Sequence, residues 1–488
     1  MEPYSSGHCS GFYRIPSMPP PEAAASPDLL QRYNFLNDFT IFVKKYRIHT
    51  ADMTAHMLIG AAASGSGKTT VTIGLLRALS HRGFAVQPFK CGPDYIDTLF
   101  HGIASGNRSV NLDTWLASEN HVRSVYRHYS VSADVCVTEG VMGLFDGYDR
   151  MKGSSAHIAM LLDLPVIIII NARSTAYTMA ALLHGLCTFR QDLRIAGVIF
   201  NQVGSDRHAK LLEQACRDVG VELLGCLPRC PEIQVPSRHL GLTVGAESEI
   251  DLLADRIADL VERHVRIERL LQLCRTTSST VSTDCSTDPV RPMSQTGLRI
   301  AVASDSAFNF TYRVNIDRLA ASGTVITFSP LAGDHLPQAD LVYLPGGYPE
   351  LFAETLSANT RLADQLRRYA SSGGRIMAEC GGMIYLSRSL TDATGTKFPM
   401  SGVLPLDCTM NQARLHLGYR RMEWGNTVFH GHEFHYSSIT NHGQLLSAAE
   451  QTDAEGIVTD TCLFRHLNVV AGYTHWYWGE TDLFRLWQ

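Results

Sequence analysis

A cysteine at the end of an apolar run is the feature of this chain that points most directly to chemistry. Residues 373–383 read GGRIMAECGGM, with the cysteine at position 380. A nucleophile elbow is a sharp turn between a strand and a helix. It presents a thiol in this way and needs small neighbours that let a substrate approach. We therefore predict that Cys380 is a nucleophile at a strand-to-helix turn.

A second segment, about 310 residues earlier, has the pattern of a phosphate-binding loop. Residues 64–70 read SGSGKTT and lie between a strand-like run and an amphipathic stretch. The glycines allow backbone N–H groups to face phosphate oxygens, Lys68 would reach the terminal phosphates and Thr69 would hold Mg²⁺. The strict pattern has glycine at position 62, where this chain has Ala62. The predicted nucleotide-binding residues are Ser64, Gly65, Gly67, Lys68, Thr69 and Thr70.

Acidic residues follow three successive apolar segments downstream of this loop. Residues 90–97 read KCGPDYID, residues 134–140 read DVCVTEG and residues 143–147 read GLFDG. Taken singly, each acid is more simply a solvated helix or turn cap. The ligand-binding edge of an open α/β sheet lies at the carboxyl ends of its strands, so three such segments together favour a shared site. The candidates are Asp94, Asp97, Glu139 and Asp146, and Glu139 is also a candidate to hold or orient Mg²⁺.

A cysteine nucleophile also needs a base and donors for the oxyanion of its intermediate. Residues 341–350, LVYLPGGYPE, end a strand in a paired-glycine turn. We predict that Gly346, Gly347 and Gly381 line the oxyanion hole. His475 follows an apolar run near the C-terminus and is the candidate base. His432 and His435 compete with it and also suggest a metal pair, for which no third ligand is evident in the sequence.

The elements that must position these residues follow an alternating pattern. Strand-like runs cover 57–62, 85–90, 134–139, 165–171, 194–201 and 222–226, with amphipathic helical stretches between them, such as 69–81 and 206–219. This alternation predicts a mostly parallel sheet covered by helices on both faces. Apolar residues at every third or fourth position over 247–274 predict one long helix.

A second alternating pattern begins at residue 298, after a stretch rich in Ser, Thr, Asp and Pro. Such a stretch has too little apolar content to pack and is typical of a linker. We therefore predict an α/β protein with two domains, over 53–274 and 298–488, joined by a linker over 275–297. Residues 1–52 contain a proline-rich segment without a secretory signal. We expect a disordered extension there, or a natural start at Met53.

Bulk composition excludes several classes of protein. A chain of 488 residues is too long for one core, and its net charge of −5 argues against a nucleic-acid partner. No apolar run approaches the roughly 20 residues that span a bilayer. The twelve cysteines form no C-x-x-C pair, which in a chain of this size fits reduced thiols in the cytoplasm. The predicted partners therefore include no nucleic acid and no membrane, and the predicted location is cytoplasmic.

Taken together, these segments resemble the cobyrinic acid a,c-diamide synthases, the glutamine- and ATP-dependent amidases of corrin biosynthesis. The resemblance runs over about residues 57–486. The segments 89–97 and 431–437 are specific to this family, whereas the loop and the elbow are shared more widely. The other stretches that carry it are 64–70, 111–113, 139–147, 238–242, 307–310, 328–330, 346–350 and 380–382.

The resemblance implies a dethiobiotin-synthetase-like P-loop domain followed by a class I glutamine amidotransferase domain of the cobyric type. Glutamine would be hydrolysed at Cys380 with His475. Ammonia would then displace phosphate from a carboxylate that ATP has phosphorylated. By matching position, the synthetase chemistry falls to Asp94, Asp97, Glu139 and Asp146. The implied co-substrates are ATP and L-glutamine with Mg²⁺, and the partner is a corrin or related tetrapyrrole. The oligomeric state stays open, a homodimer included.

Two positions depart from the usual patterns, and other functions stay open. Tyr477 stands where the class I triad has a carboxylate, which favours a Cys–His dyad, and Asn171 stands where many members have aspartate.

The sequence does not separate cobyrinic acid from hydrogenobyrinic acid, sirohaem or nickel sirohydrochlorin as substrate. From another class, a P-loop switch ATPase with an inactive amidotransferase domain is the alternative. A ligase that uses CO₂ would leave residues 298–488 without a purpose.

Overall fold

In the computed structural model, which describes residues 53–231, 233, 246–277 and 288–488, the first half is built on a parallel sheet. Its strands are β1 (Met53–Ala61), β2 (Val86–Cys91), β3 (Val110–Leu112), β4 (Val135–Glu139), β5 (Val166–Asn171), β6 (Ile195–Val203) and β7 (Leu223–Pro228). They pair in parallel in the order β3-β2-β4-β1-β5-β6-β7. The six predicted strands are confirmed, whereas the three-residue β3 was not predicted.

Helices cover both faces of this sheet, as the alternating pattern predicts. They are α1 (Lys68–His81), α2 (Ile96–Ser105), α3 (Glu119–Ser130), α4 (Ser155–Leu161), α5 (Met179–Thr188), α6 (Asp206–Val219), α7 (Ala246–His264) and α8 (Ile267–Cys274). Successive side chains of a strand point to opposite faces, so Leu58 enters one apolar cluster while Met57 and Ile59 enter the other. Each face of the sheet thus carries its own core.

The prediction of one long helix over 247–274 is wrong, because the chain breaks between α7 and α8. At the break, Val265 forms an antiparallel bridge with Gly225, and the N–H of Arg266 donates to the carbonyl of Leu224 at 2.8 Å. A Cβ at position 225 would lie 2.4 Å from the carbonyl oxygen of His264. The absence of a side chain on β7 therefore lets the helix end dock there, which helical periodicity alone does not reveal.

The second half contains another largely parallel sheet, in the order β10-β9-β11-β12-β21-β20. Its strands are β9 (Leu298–Ala303), β10 (Gly323–Phe328), β11 (Leu341–Leu344), β12 (Arg375–Glu379), β20 (Leu463–His466) and β21 (Val469–Gly472), of which β20 is antiparallel. Its helices are α9 (Arg313–Ser322), α10 (Ala353–Ala358), α11 (Thr360–Ser371) and α12 (Gly381–Leu386). The two-part α/β architecture is confirmed.

Two smaller four-stranded sheets complete the second half. The first, ordered β14-β13-β15-β18, consists of β13 (Ser389–Thr391), β14 (Lys397–Pro399), β15 (Asp407–Thr409) and β18 (Ser438–Asn441). The second, ordered β19-β16-β17-β22, consists of β16 (His416–Trp424), β17 (Thr427–His435), β19 (Gln451–Thr452) and β22 (Thr474–Tyr477). Strands β17 and β22 run antiparallel and carry histidines that belong to the candidate site.

The segment predicted as a linker is only partly described. Its first residues form β8 (Arg275–Thr277), which pairs antiparallel with the start of β1. Residues 288–297 contain no helix or strand, and 278–287 lie outside the described residues, as do the predicted extension over 1–52 and the segment 238–242. The exact division into domains stays a prediction. Within the described ranges, no helix combines the length and apolar character needed to cross a membrane.

Polar contacts join the two halves, which together form one unit over residues 53–488. The hydroxyl of Tyr129 in α3 donates to Asp317 in α9 at 2.6 Å. The N–H and the hydroxyl of Ser118 both donate to the carboxylate of Glu480, each at 2.6 Å. The positions of the two candidate centres relative to each other are therefore held by direct contacts between the halves.

Arg318 in α9 provides a test of how the C-terminal segment is held. Its side chain is 3% exposed and donates to the carbonyls of Arg291, Trp478, Gly479 and Thr481. We expect Arg318→Met to lower the free energy of unfolding by roughly 3 kcal/mol, since several buried carbonyls lose their donor. Thermal unfolding should show a midpoint several degrees lower, whereas Arg361→Met, at an exposed position, should leave it unchanged. Equal midpoints for both variants would contradict the expectation.

Candidate functional site

The predicted phosphate-binding loop connects the end of β1 to the start of α1. Gly65 and Gly67 adopt left-handed backbone conformations, with φ of 74° and 96°. Ser64 and Gly65 are exposed, and they line a cavity of about 440 Å³ together with Asn171 and Arg173 at the end of β5. Thr70 is half-buried in the first turn of α1. The loop thus presents a concave backbone at a helix N-terminus, the arrangement that binds phosphate.

A buried cluster of charged side chains lies beside this loop. The hydroxyl of Thr69 donates to Glu139 at 2.8 Å and lies 3.5 Å from Asp97. Lys90 bridges the two carboxylates, at 2.6 Å from Asp97 and 2.9 Å from Glu139. His101 contacts the second oxygen of Glu139 at 2.7 Å. The structure therefore brings together two of the four predicted synthetase acids, Asp97 and Glu139, with Thr69, the predicted Mg²⁺ ligand of the loop.

The charges of this cluster support one another. Burial alone would raise the pKa of Glu139, but the ammonium of Lys90 and the hydrogen bond from His101 outweigh it and hold that pKa far below its usual range. Burial likewise opposes the charge on Lys90, yet the carboxylates of Asp97 and Glu139 raise the pKa of Lys90 well above its ordinary value. Glu139 and Lys90 are therefore both ionised in the interior.

The remaining predicted acids lie outside this cluster. Asp94 accepts the N–H groups of Ile96 and Asp97, both at 2.9 Å, and so caps the start of α2. Asp146 is exposed and accepts the N–H of Gly143 at 3.0 Å within its own loop. Lys68, the predicted phosphate ligand, donates to the carbonyl of Met142 at 2.5 Å. The loop that contains Met142 and Asp146 therefore contacts Lys68 through its backbone.

The predicted elbow is present at Cys380. Strand β12 ends at Glu379, α12 begins at Gly381, and Cys380 between them has φ of 46° and ψ of −104°. A positive φ is rare for a residue with a side chain and costs energy that the surrounding packing must supply. The N–H of Cys380 donates to the carbonyl of Gly472 in β21 at 2.7 Å, which helps to hold the turn. The thiol is thereby fixed at the end of the central strand.

Two of the three predicted oxyanion residues contact the sulfur. Burial raises the pKa of the Cys380 thiol well above its usual value, and nearby Glu350 adds to the rise. The backbone N–H groups of Gly381 and Gly347 form hydrogen bonds with the same sulfur, and these lower the pKa of the thiol. Gly346 is placed differently: a Cβ there would come within 2.0 Å of Cε1 of His475. Gly346 thus makes room for the histidine.

The predicted base, His475, is buried on β22 and faces the first half of the chain. Its ring lies 4.7 Å from that of Tyr95 and 6.1 Å from that of Phe310, measured between centroids. Among the described residues, neither of its ring nitrogens has a hydrogen-bond partner. Burial, with smaller contributions from His432 and His435, lowers the pKa of His475 to about 3. The thiol of Cys380 lies 3.6 Å from the carbonyl of Phe434. The thiol and the neutral imidazole of His475 are therefore not hydrogen-bonded to each other.

Tyr477, in the place of a triad carboxylate, does not serve this histidine. Its hydroxyl bonds to Nε2 of His121 in α3 at 2.9 Å. A different carboxyl lies nearby, because Glu379 accepts the N–H of Trp476 at 2.9 Å and the hydroxyl of Tyr343 at 2.7 Å. Burial raises the pKa of Glu379 to about 8. The Cys–His dyad stays a prediction, and among the described residues none forms a hydrogen bond with the ring of His475 as a third member.

The metal pair considered from the sequence does not form. His432 and His435 lie three residues apart in β17, so their side chains point to opposite faces of the sheet. His435 instead approaches Glu433, at 2.7 Å, and His416. Glu433 also accepts from Thr461 at 2.7 Å and forms an ion pair with Arg420. The carboxylate of Glu433 therefore already has hydrogen-bond and ion-pair partners, which favours a structural network.

A cavity of about 600 Å³ lies between the two halves and adjoins both centres. Its walls are mostly apolar and aromatic. Asp94 and Tyr95 from the first half line it, as do His432 and Phe434 from β17. Tyr95 also contacts His475, and the carbonyl of Phe434 contacts the thiol of Cys380. A large apolar cavity with a few polar groups is the usual form of a ligand site.

Comparison with known proteins identifies both halves. The model of the CobQ/CobB/MinD/ParA nucleotide binding domain matches residues 57–242. The model of the CobB/CobQ-like glutamine amidotransferase domain matches residues 299–483. A solved glutamine amidotransferase structure is similar over 36% of this chain and 89% of its own, at 18% identity. The TM-score of this comparison is 0.27.

Curated relatives cover both halves at once. A hydrogenobyrinate a,c-diamide synthase from Brucella abortus biovar 1 is 42% identical over 410 residues, which are 82% of this chain and 93% of the relative. A cobyrinate a,c-diamide synthase from Picrophilus torridus is 39% identical over 433 residues, 86% and 95% of the two chains. The chain belongs to the a,c-diamide synthase family. One from Listeria innocua is 38% identical over 435 residues, again 86% and 95%.

Membership of the a,c-diamide synthase family confirms the resemblance inferred from the motifs. The chain is a glutamine-dependent amidating ligase with a nucleotide-binding and a glutamine amidotransferase domain, to which ATP and glutamine are suited as co-substrates. The roles of individual residues stay predictions.

Sequence reasoning missed several residues of this synthase site. Lys90 and His101 complete the charged cluster, and the half-buried Glu350 and the buried Glu379 are carboxyls at the thiol centre. Burial raises the pKa of Glu350 to about 7. For Lys90, Glu350 and Glu379, the only sequence signal was their place within the motifs around 90–97, 346–350 and 380. No pattern in the sequence pointed to His101.

Glu379 allows a test of the buried thiol centre through pH. Its carboxyl has a raised pKa of about 8 in the folded protein, so between its ordinary pKa of 4.5 and 8 the unfolded chain ionises while the folded one stays protonated. The contribution of the Glu379 carboxyl to the free energy of unfolding is therefore greatest at low pH and declines as pH rises through this window. Glu379→Gln should thus gain stability relative to the parent from pH 5 to pH 8, by at least about 1 kcal/mol.

Urea unfolding at the two pH values measures this difference. Glu423→Gln is the control, because the side chain of Glu423 is 66% exposed. Its difference from the parent should not change with pH. If the Glu379→Gln and parent curves run parallel, the carboxyl is already ionised in the folded state.

Proposed function

We propose that the chain amidates the a and c acetate carboxylates of cobyrinic acid, using ATP and glutamine, through acyl-phosphate intermediates. The observation that carries this proposal is the cavity shared by the two halves. Asp94 at its wall begins the helix that carries Asp97, and Phe434 at its wall contacts Cys380. One cavity thus adjoins a phosphate-binding centre and a thiol centre, as ammonia transfer between them requires.

The synthetase roles fall to residues of the loop and the charged cluster. In this proposal the loop N–H groups and Lys68 bind the ATP phosphates, and Lys90 offsets charge on the transferred phosphoryl group. The oxygens of Thr69, Asp97 and Glu139 lie together and are donors of the kind that Mg²⁺ prefers, so they would hold that ion. Bound Mg²⁺ would neutralise charge that develops during phosphoryl transfer. Asp94 orients the start of α2, and Asp146 would support its own loop.

The glutaminase roles fall to the elbow and its neighbours. Cys380 attacks the glutamine amide carbon, and the N–H groups of Gly347 and Gly381 stabilise the oxyanion. His475 accepts the thiol proton and returns a proton to the leaving nitrogen, which departs as ammonia. Water then hydrolyses the thioester and releases glutamate. Because His475 has no hydrogen-bond partner among the described residues, glutamine binding must bring the ring to the sulfur.

Two centres in one chain answer a chemical need. A carboxylate is a poor electrophile because its leaving group would be oxide, and phosphorylation replaces oxide with phosphate. Ammonia in water at neutral pH is mostly protonated and therefore not nucleophilic. Release of ammonia from glutamine beside the acyl phosphate supplies the neutral form directly. The short path through one cavity supports this division of labour.

The cavity and the relatives support a corrin-type tetrapyrrole as the substrate. Tyr148, Tyr419 and Tyr436 offer aromatic faces, which suit a flat conjugated ring. The relatives are named for cobyrinate and for hydrogenobyrinate. Incubation of the enzyme with each acid, ATP and glutamine, followed by mass spectrometry of the product, distinguishes them. Absence of a diamide from both acids would contradict the proposed function.

Lys68 provides the test of the nucleotide centre. We expect Lys68→Ala to lower amidation by at least about a hundredfold, because a cation at the phosphates is lost. Glutamine hydrolysis should continue, since the thiol centre is intact. Lys152→Ala is the control, with a side chain that is 67% exposed, and should keep full activity. Full ATP-dependent amidation by Lys68→Ala would place the nucleotide elsewhere.

Nitrogen sources separate the roles of the two centres. Cys380→Ser should lose glutamine-dependent amidation by several orders of magnitude, because a serine hydroxyl does not ionise as a thiol does. Ammonium salt at mildly alkaline pH should restore its product. Glu139→Gln should show the opposite pattern, with glutamine hydrolysis kept and amidation lost from both sources. Product formation by each variant is compared with that of the parent and of Cys187→Ser as control. A folded Cys380→Ser enzyme that ammonia fails to restore would refute the division.

A further inference from the structure

The wall between the cavity and the thiol centre is one side chain thick. Tyr95 lines the cavity and lies 4.7 Å from the ring of His475, centroid to centroid. Phe434 lines the same cavity, and its carbonyl lies 3.6 Å from the sulfur of Cys380. Phe310 stacks on Tyr95 at 5.3 Å and lies 6.3 Å from Phe434. Tyr95 and Phe434 therefore separate the cavity from the thiol centre.

On the cavity side of this wall stands His432. It is paired in register with His475 on the neighbouring strand, so the two side chains lie next to each other on one face of the sheet. His432 is only 8% exposed and lines the cavity together with Asp94. Among the described residues, its Nδ1 has no hydrogen-bond partner. A buried nitrogen without a partner needs an explanation. The atom itself is shielded from the cavity that His432 lines, so a ligand there reaches it only when the ring turns towards the cavity.

The protonation state of His432 decides which ligand suits it. Burial lowers the pKa of His432 to about 4, against a smaller opposite effect of Asp94. This pKa of about 4 includes a lowering effect of Arg420 and a raising effect of Glu433, and the ring is therefore neutral near pH 7. A neutral imidazole has one nitrogen that accepts a hydrogen bond. Ammonia is a small hydrogen-bond donor. A neutral acceptor binds it without favouring its protonation, whereas a carboxylate would stabilise the ammonium ion.

We propose, resting on the function proposed above, that His432 receives ammonia between the two centres. Ammonia released at Cys380 passes Tyr95 and Phe434, donates a hydrogen bond to the unpartnered ring nitrogen of His432, and continues to the acyl phosphate near Asp94. His432 is a positioning residue in this role, because it neither breaks nor forms a covalent bond. It keeps ammonia neutral and inside the cavity until the acyl carbon is reached.

The test measures how many amide groups form per glutamine hydrolysed. With cobyrinic acid, ATP and isotope-labelled glutamine, the parent should deliver most of its released nitrogen to product, even with unlabelled ammonium in the buffer. We expect His432→Leu to lower the labelled amide formed per glutamine hydrolysed by roughly threefold to tenfold, the effect of one lost hydrogen bond. A purely structural role would lower the rate of hydrolysis and leave this ratio unchanged.

Two further variants control for loss of the ring itself. His430→Leu makes the same change on the same face of β17, where the ring packs edge-on against Trp115 at 4.8 Å, and should keep the full yield. His432→Asn places an acceptor oxygen near the position of Nδ1 and should recover most of the yield lost in His432→Leu. Its comparison with the parent decides the question even if the leucine variant fails to fold.

The outcomes separate this inference from the proposed function. If the parent forms no diamide from either ammonia or glutamine, the proposed function fails. If the parent forms diamide and His432→Leu delivers nitrogen as efficiently as the parent, ammonia takes another route. A yield as low in His432→Asn as in His432→Leu also overturns the inference, because an acceptor at that position would then have no effect.

Discussion

The packing of Tyr95 against the second half of the chain holds two separate chemistries at one cavity. Tyr95 lies between Asp94 and Asp97 at the start of α2, stacks on Phe310 and donates a 2.6 Å hydrogen bond to Tyr312. Each such aromatic contact is worth about 0.5–1.5 kcal/mol beyond the area that it buries. Because the same ring contacts His475, the position of α2 also determines how far the acidic cluster lies from the thiol centre.

The two centres use burial in opposite ways. At the first, paired charges overcome burial, and both Lys90 and Glu139 stay ionised. At the second, burial prevails: the thiol of Cys380 and the carboxyl of Glu379 hold their protons, and His475 is neutral. In the proposed mechanism, phosphoryl transfer needs fixed charges, whereas ammonia must stay uncharged to act as a nucleophile. An interior that is charged at one end and neutral at the other would suit both proposed steps.

Features that depend on local spacing could be predicted from the sequence. The six strands, the loop over 64–70 and the turn at Cys380 are each encoded by neighbouring residues: apolar runs, glycines and the residues that end a strand. The carboxyl ends of parallel strands lie at one edge, so the meeting of Thr69, Asp97 and Glu139 also followed from the fold class. The family followed as well, because its specific segments are contiguous.

Long-range packing decided the rest. The bridge from Val265 to β7 interrupts a helix whose periodicity is unbroken, and Tyr477 bonds to His121, 356 residues earlier in the chain. The raised pKa of Glu379 and the unpartnered nitrogen of His432 depend on what surrounds each side chain, not on its neighbours in sequence. By itself the sequence determined which residues can do chemistry. Only the tertiary structure decided which of them share a cavity and which stay uncharged, because burial and distance arise from contacts between segments far apart in the chain.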